Sequence, residues 1–431
     1  MNKKKFMLYS ICLTLFIDAI GVGLIFPILP ELFMNNESGL IVGGSTWLSR
    51  EVLYSISFAL FPLSGIFGMP ILGALSDKYG RSKIILCGLG MLTSNYLLSV
   101  ISVLIHNVWL FLLTRLLSGF LSGTYAVGSA LISDVCDNDQ ERISNFKLPA
   151  LASTLGFISG PGLSIFISKL DVTNTLIIPF IITFVLGVVN LLLLCNSFKN
   201  IGLKNIDYTT NLDVISLNIS IGNNKFNTLL SALKSMFASL GYIFSNKYTK
   251  VLAFSYLLLQ FGFGLFVQSL SLYLTLNYNY TPSNIARFFV IMSIIMIISM
   301  YLLQKLATKF FNYKVQIDLG LIIISILLIL ESIWGKAVSN ILQLEYIYIT
   351  WLTNAIFYLL IPFITLGFTS LFANIGGKKE QGKVMGGSGQ IYSISWAISG
   401  LIIGKLIMDY HLILLISGVS FMLSYIILKM K

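Results

Sequence analysis

The sequence predicts an all-α membrane protein of twelve transmembrane helices in two six-helix bundles, with both termini cytoplasmic. Three observations carry this. First, 56% of the 431 residues are hydrophobic, only 10% are charged, and the mean hydropathy is +0.88; globular proteins are nearer about a quarter charged. Second, apolar runs long enough to cross a bilayer recur twelve times, with a polar stretch near 198–247 between the sixth and the seventh. Third, with both ends placed inside, 22 of the 28 Lys and Arg residues fall on the cytoplasmic side and five outside, while Arg115 lies within a span. That asymmetry fixes the orientation by the positive-inside rule.

The spans run at roughly 6–33, 51–75, 83–105, 108–132, 145–168 and 174–196, then 248–276, 284–306, 315–335, 342–373, 384–406 and 411–429. The domains that follow are an N-terminal bundle over 1–197, a linker over 198–247 and a C-terminal bundle over 248–431. The linker begins rich in Asn and Lys and then becomes amphipathic. Leu229, Leu230, Leu233, Met236, Phe237, Leu240, Ile243 and Phe244 recur at helical spacing. This reads as a helix lying on the cytoplasmic membrane face, with a protein-binding face as the alternative.

A net charge of +11 would suit nucleic acid, but the basic residues lie in short runs between apolar segments, so the bilayer is the partner and nucleic acid is not. Met1-Asn2-Lys3-Lys4-Lys5 imitates the start of a signal peptide. The apolar run behind it is too long and lacks a small-residue cleavage site, so it reads as a retained first span. Cys12, Cys87, Cys136 and Cys195 have no CxxC spacing and make neither a metal site nor a disulfide framework. His106 and His411 read as solvated residues of external turns. No GxxxxGK[ST] loop is present, so no nucleotide cofactor is expected and the energy source is an ion gradient. A monomer in the inner membrane is expected.

The most informative residue is Asp18, an acid near the middle of the first apolar run. A charge at that depth costs on the order of a few kcal/mol, so it faces a water path or finds a partner. Two readings stand beside each other: an acid that binds and releases a proton, or a structural acid paired with Arg115 of span four. Either needs the pair or a water path.

Between spans two and three stands Gly73-Ala74-Leu75-Ser76-Asp77-Lys78-Tyr79-Gly80-Arg81-Ser82-Lys83. One glycine ends a helix, a second makes a tight return, and the charges pair across helix ends. This run resembles the G-x-x-x-D-x-x-G-R-x-K loop of the major facilitator superfamily. The first span is similar to the proton-coupled drug antiporters of that superfamily, especially the tetracycline-exporter branch, in its D-A-x-G-x-G-L-I-x-P-x-L-P pattern from Asp18 to Pro30. Span four, Arg115 to Gly123, resembles the R-x-x-x-G-x-x-x-G stretch of those exporters. In span five, Gly156, Gly160 and Pro161 resemble the antiporter G-x-x-x-G-P signature, and Gln381 to Gly386 also looks like the branch.

The chain departs from the branch too. Asn95 stands where those exporters carry an acid in span three, Ile322-Ile323-Ile324 runs where span nine has one, and Ser164-Ile165 replaces a glycine pair. The second-half echo of the hairpin, Leu306 to Lys314, has neither acid nor glycine.

The resemblance implies an alternating-access transporter and no enzyme. It implies proton coupling at Asp18 and Arg115, and a cytoplasmic latch of Asp77, Arg81 and Asp134, supported by Gly73, Gly80 and Lys83, that favours the outward-facing state. The plain alternative for the latch is solvated loop charge. Gly160-Pro161 breaks or bends span five, and neighbouring helices satisfy the freed backbone. Small residues on span four (Ser118, Gly119, Ser122, Gly123) and span eleven (Gly386, Gly400, Gly404) read as close helix packing. A midplane cavity lined by both halves would draw on Phe26, Tyr125, Gln260, Phe263, Asn354 and Tyr358, each of which equally suits plain packing. Few buried charges besides Asp18 and Arg115 point to a neutral, cationic or zwitterionic small-molecule substrate. The expected activity is export of a drug-like or amphiphilic compound against proton entry. The rivals are export of an endogenous metabolite such as a siderophore, proton-coupled uptake, and a transport-inactive membrane sensor.

Overall fold

The computed structural model describes residues 3–37, 39–41, 47–134, 147–167, 176–201, 239–245, 247–343 and 345–430. Among them the regular structure is helical throughout. The helices are α1 (Lys3–Met34), α2 (Arg50–Tyr79), α3 (Arg81–Leu104), α4 (Val108–Leu121), α5 (Thr124–Asp134), α6 (Lys147–Ile167) and α7 (Ile178–Ile201). Then come α8 (Lys247–Tyr278), α9 (Pro282–Ile298), a π-helical turn at Ser299–Leu303, α10 (Gln304–Phe310), α11 (Tyr313–Leu342), α12 (Tyr346–Leu406) and α13 (Tyr410–Lys429). Ten helical stretches of the described residues are long and apolar enough to cross a membrane, and Leu151–Ile167 is a shorter apolar helix.

Local chemistry sets the helix ends. The Asn107 side chain accepts from the Leu110 amide to start α4, Thr281 accepts from Asn284 just before Pro282 to start α9, and Asp409 accepts from Leu412 to start α13. Gly80 has φ +96°, a left-handed conformation that a side chain rarely adopts, so the expected tight return between α2 and α3 does rest on that glycine.

Two compact units divide the chain. The first comprises Met1–Ile25, Ser64–Gly160 and Val172–Phe237; the second comprises Phe26–Leu63, Pro161–Asp171 and Ala238–Lys431. In the first, α3 packs on α7 and α4. The Ser10 and Ser197 hydroxyls lie 3.1 Å apart, and the Asn190 amide bonds Thr14 at 2.8 Å, so α1 and α7 are tied by buried polar pairs. The backbones of α2 and α4 cross without a side chain between them: a Cβ on Gly68 would overlap the Phe120 carbonyl, and one on Gly123 would lie 2.7 Å from the Gly68 oxygen. Here the small residues of span four pack as expected.

In the second unit α8 and α11 both pack on α12 and α13. Ser255 and Ser424 exchange hydrogen bonds with each other's backbone carbonyls at 2.7 and 2.8 Å. Arg50 donates to the Phe33 carbonyl at the end of α1 and to the Ile41 carbonyl, both at 2.8 Å. The Tyr54 hydroxyl of α2 donates to the Gln268 carbonyl of α8 at 3.0 Å. Glycines of span eleven meet α2: Gly400 packs on the Ala59 backbone and Gly404 on Glu51 and Val52.

The structure bears on four expectations. The helix α12 runs without a break from span ten into span eleven, and the side chains of residues 373–383 between them lie outside the described residues. Span four is borne out as one apolar stretch over Val108–Ile132, with a turn at Ser122–Gly123 between α4 and α5. Span five does not break at Gly160-Pro161; α6 continues through it. The linker's apolar stretch, where it is described, does not lie free: Ile243 is fully buried with Ala253 and Ile391, and Leu240 and Phe244 pack around them. Its members from Leu229 to Phe237 lie outside the described residues.

Gly68→Ala should lower stability by about 1–3 kcal/mol, because the new methyl must push the Phe120 backbone aside in a packed crossing. Thermal unfolding of the detergent-solubilised protein measures this, and an unchanged midpoint would contradict the contact.

Candidate functional site

Asp18 sits on α1, half-buried, in a turn that two other helices approach at glycine positions. From α3 comes Tyr96. Its hydroxyl donates to the Ile17 carbonyl, the peptide group joining Ile17 to Asp18, at 3.4 Å. The phenol also fills the space that a Cβ on Gly21 would occupy. From α6 come Gly156, packed on the Phe16 carbonyl with Ala19 beside it, and Gly160, packed on Ile20, Gly23 and Leu24. The G-x-x-x-G spacing therefore lets α6 approach α1 over the turns before and after Asp18. A β-carbon at either position would force the helices apart.

Arg115 of α4 is 6% exposed. Asn95, one residue before Tyr96, donates its amide to the Thr114 carbonyl at 3.0 Å and to the Ser118 hydroxyl at 2.7 Å, gripping α4 on both sides of Arg115. Tyr96 thus touches the peptide group of Asp18 while its neighbour Asn95 holds the turn of α4 that carries Arg115. Sequence reasoning passed over Tyr96, although it adjoins Asn95, the position where the exporter pattern has an acid.

The hairpin residues assemble in part. Arg81 and Asp77 form an i,i+4 ion pair at 3.4 Å, with the carboxylate largely exposed. Lys83 is exposed, and the space around a Cβ on Gly73 is open. The Asp134 side chain lies outside the described residues.

The six cavity candidates separate. Phe26 packs between Phe58 and Phe289, with ring centroids 5.4 and 5.2 Å away. Gln260 accepts from the Trp396 indole at 3.1 Å, and Phe263 lies 5.5 Å from that ring and 5.7 Å from Phe357. Asn354 and Tyr358 are buried; Asn354 donates to the Thr350 carbonyl at 2.9 Å, and the Tyr358 ring lies 5.8 Å from Phe357. Tyr125, in the other unit, is 38% exposed. Gln260 and Phe263 thus meet around Trp396, which the small-residue stripe of span eleven concealed.

A second buried acid corrects the reading that Asp18 and Arg115 are nearly the whole buried charge. Glu331 of α11 is 5% exposed. It stands in the apolar run Leu328-Ile329-Leu330-Glu331, the same signal that marks Asp18, about two turns beyond Ile322 to Ile324, where the exporter pattern places its acid. His411 is likewise no free turn residue. Its carbonyl accepts from Ser332, its ring lies 5.7 Å from Tyr346, and its Nδ1 is buried.

Residues 11–400 match the Major Facilitator Superfamily. The chain belongs to that family. It is 31% identical over 182 residues to the class C tetracycline resistance protein of Escherichia coli, covering 42% of each chain. It is 34% identical over 164 residues to the class H tetracycline resistance protein of Pasteurella multocida, covering 37% of this chain and 36% of that one. It is 29% identical over 177 residues to the quinolone resistance protein NorA of Staphylococcus aureus, covering 40% of each. The aligned part thus spans about two fifths of the length of these relatives. Among solved structures, a D-xylose-proton symporter superposes with TM-score 0.70 at 13% identity, covering 99% of this chain and 97% of that one. The human organic anion transporter MFSD10 superposes with TM-score 0.66 at 17% identity, covering all of both chains. These two share the fold. By its family the chain is a multi-pass membrane transporter and not an enzyme.

Gly21→Ala should displace Tyr96 and lower the unfolding midpoint, and adding Tyr96→Leu should restore part of the loss because the overlapping ring is gone. A double variant no more stable than Gly21→Ala would show that the two do not touch.

Proposed function

We propose that this protein exports a small organic compound, drug-like or amphiphilic, in exchange for protons. In this reading twelve spans form two six-helix bundles, over 1–197 and 248–431, joined by the linker over 198–247, with both termini cytoplasmic. The protein works as a monomer in the inner membrane and alternates access to a central cavity.

One observation supports this most. An acid lies at mid-depth of α1, its turn closely packed by α3 and α6, and Asn95 of α3, beside Tyr96, holds the turn of α4 that carries a buried arginine. The named relatives are resistance proteins, and they match this chain over part of its length.

The mechanism follows from what a carboxyl can do in such a place. In contact with water and within range of Arg115, Asp18 is ionised. Closure of the water path favours its neutral form, because an unpartnered charge does not stay in the hydrocarbon region. The group takes a proton from the external side, crosses with the bundles as a neutral acid, and releases the proton on the cytoplasmic side. Arg115 favours release by stabilising the anion. Substrate, for which Phe26, Tyr125, Gln260, Phe263, Asn354 and Tyr358 are the candidate contacts, leaves in the opposite direction. Gly156 and Gly160 let α6 slide closely over α1, and Pro161 removes one helical hydrogen-bond donor at the next position. Asp77, Arg81 and Asp134, with Gly73, Gly80 and Lys83 shaping the hairpin, close the cytoplasmic end of the outward-facing state.

Asp18→Asn should abolish substrate movement driven by an imposed pH gradient in proteoliposomes while leaving substrate counterflow intact. Tetracycline, a quinolone and a panel of cationic dyes serve as probes, with a protonophore as control. Proton-driven movement retained in the variant would remove Asp18 from the mechanism, and movement of substrate in the same direction as protons would replace exchange by uptake.

Arg81→Ala should shift the population between inward- and outward-facing states, read by the labelling of single cysteines placed on either side of the membrane, with probe affinity little changed. A loss of affinity at an unchanged labelling pattern would contradict the latch.

A further inference from the structure

Glu331 is built into a site of its own, within the second unit. One carboxylate oxygen, Oε1, accepts from the Tyr346 hydroxyl at 3.3 Å and from the Thr350 hydroxyl at 3.4 Å. The other oxygen, Oε2, is buried without a hydrogen-bond partner among the described residues. No ion pair among the described residues includes Glu331. Gly335, one turn along α11, leaves the space into which the Tyr346 ring fits: a Cβ there would lie 2.7 Å from that ring and 3.3 Å from the Glu331 side chain.

The elements packed around this acid present phenols and an imidazole. From α8 come Tyr273 and Tyr278, whose hydroxyls lie 3.4 Å apart. From α13 comes Tyr410, its ring stacked on Tyr273 with centroids 3.5 Å apart and its hydroxyl buried without a partner. His411 follows it, beside the Tyr346 ring. The nearby full charges, Lys336, Glu345 and Asp409, are exposed. Tyr346 and Tyr278 are only half-buried, so hydroxyls extend from the acid's surroundings towards solvent.

A carboxylate with one oxygen orphaned and no cation against it would carry an uncompensated charge in a buried place. A hydrogen on Oε2 removes that charge and leaves Oε1 as the acceptor that the structure shows. We propose that Glu331 is a second proton-binding site, in the other half of the chain from Asp18, which holds a hydrogen on Oε2 and exchanges it with water past Tyr346 and Tyr278. The step forms an O–H bond on uptake and breaks it on release to water, with no other reactant. Glu331 lies 11 residues before the end of α11 at Leu342, about 16 Å along the helix. The site is thus reached from the α11–α12 end of the unit and stands independently of the role proposed for Asp18.

Infrared difference spectroscopy of the full-length protein, stepped between acid and alkaline pH, tests this. It is run on wild type, Asp18→Asn, Glu331→Gln and the double variant, in sodium and in choline salts. The expected result is a carboxylic-acid carbonyl band that titrates in Asp18→Asn, disappears in Asp18→Asn/Glu331→Gln, and does not depend on sodium. Tyr346→Phe, which keeps the ring and removes a donor that favours the anion, should move the midpoint of that band to higher pH. A band unchanged by Glu331→Gln would mean an acid that is permanently protonated or permanently ionised, and either would overturn the proposal. A band that titrates only in choline, with sodium holding the anion, would replace the proton by a metal cation and overturn it as well. Loss of the Asp18 band alone would bear on the exchange mechanism and leave this site untouched.

Discussion

A carboxyl group inside a membrane-spanning helix has two stable conditions: neutral, or ionised with water or a cation beside it. Everything around Asp18 is arranged so that neither condition is reached by loosening the protein. The Tyr96 hydroxyl occupies the turn beneath it, Gly21 admits the phenol, and α6 closes on the turns before and after it through Gly156 and Gly160. Arg115 is held on α4 by the grip of Asn95 on Thr114 and Ser118. The packing around the acid is thereby tied to helix positions, which is what the proposed proton exchange asks of it.

The same economy of side chains recurs wherever helices cross. Gly68 and Gly123 bring α2 and α4 together, and Gly400 and Gly404 bring α12 to α2. In lipid the hydrophobic effect does not drive helices together, so close van der Waals contact and buried hydroxyl pairs such as Ser255 with Ser424 carry the association. Arg50 adds a different device. Its guanidinium meets the carbonyl that the end of α1 leaves unpaired at Phe33, so a basic residue stabilises the negative end of a helix.

Much of this was legible in the sequence because the signals are local or chemically expensive. Apolar length gave the spans, Gly80 gave the left-handed turn, and an acid in an apolar run gave Asp18. What escaped depends on partners distant in the chain. Tyr96 looks like any aromatic lipid-facing residue until Gly21 is brought under it. Trp396 looks like packing until Gln260 meets its indole. His411 looks solvated until Tyr346 and Ser332 are placed beside it. Between spans ten and eleven, polarity marks a segment expected to leave the bilayer, but it does not by itself stop a helix, and α12 runs through. Glu331 carries the same mark as Asp18, an acid in an apolar run.

The π-helical turn at Ser299–Leu303 has a consequence for the face that α10 presents. Such a turn holds one residue more than an α-helical one, so the chain beyond it is rotated by about 100° relative to a plain continuation of α9. Ser299 donates to the Leu359 carbonyl there, and past the turn Gln304 bonds Gln316 of α11 at 2.8 Å. Removing the extra residue would lay down an ordinary helix of nearly the same composition, yet swing Gln304 away from α11 and turn its amide towards the lipid. The register of that one turn therefore decides which side of the helix end is oily and which is wet, a choice that composition alone leaves undetermined.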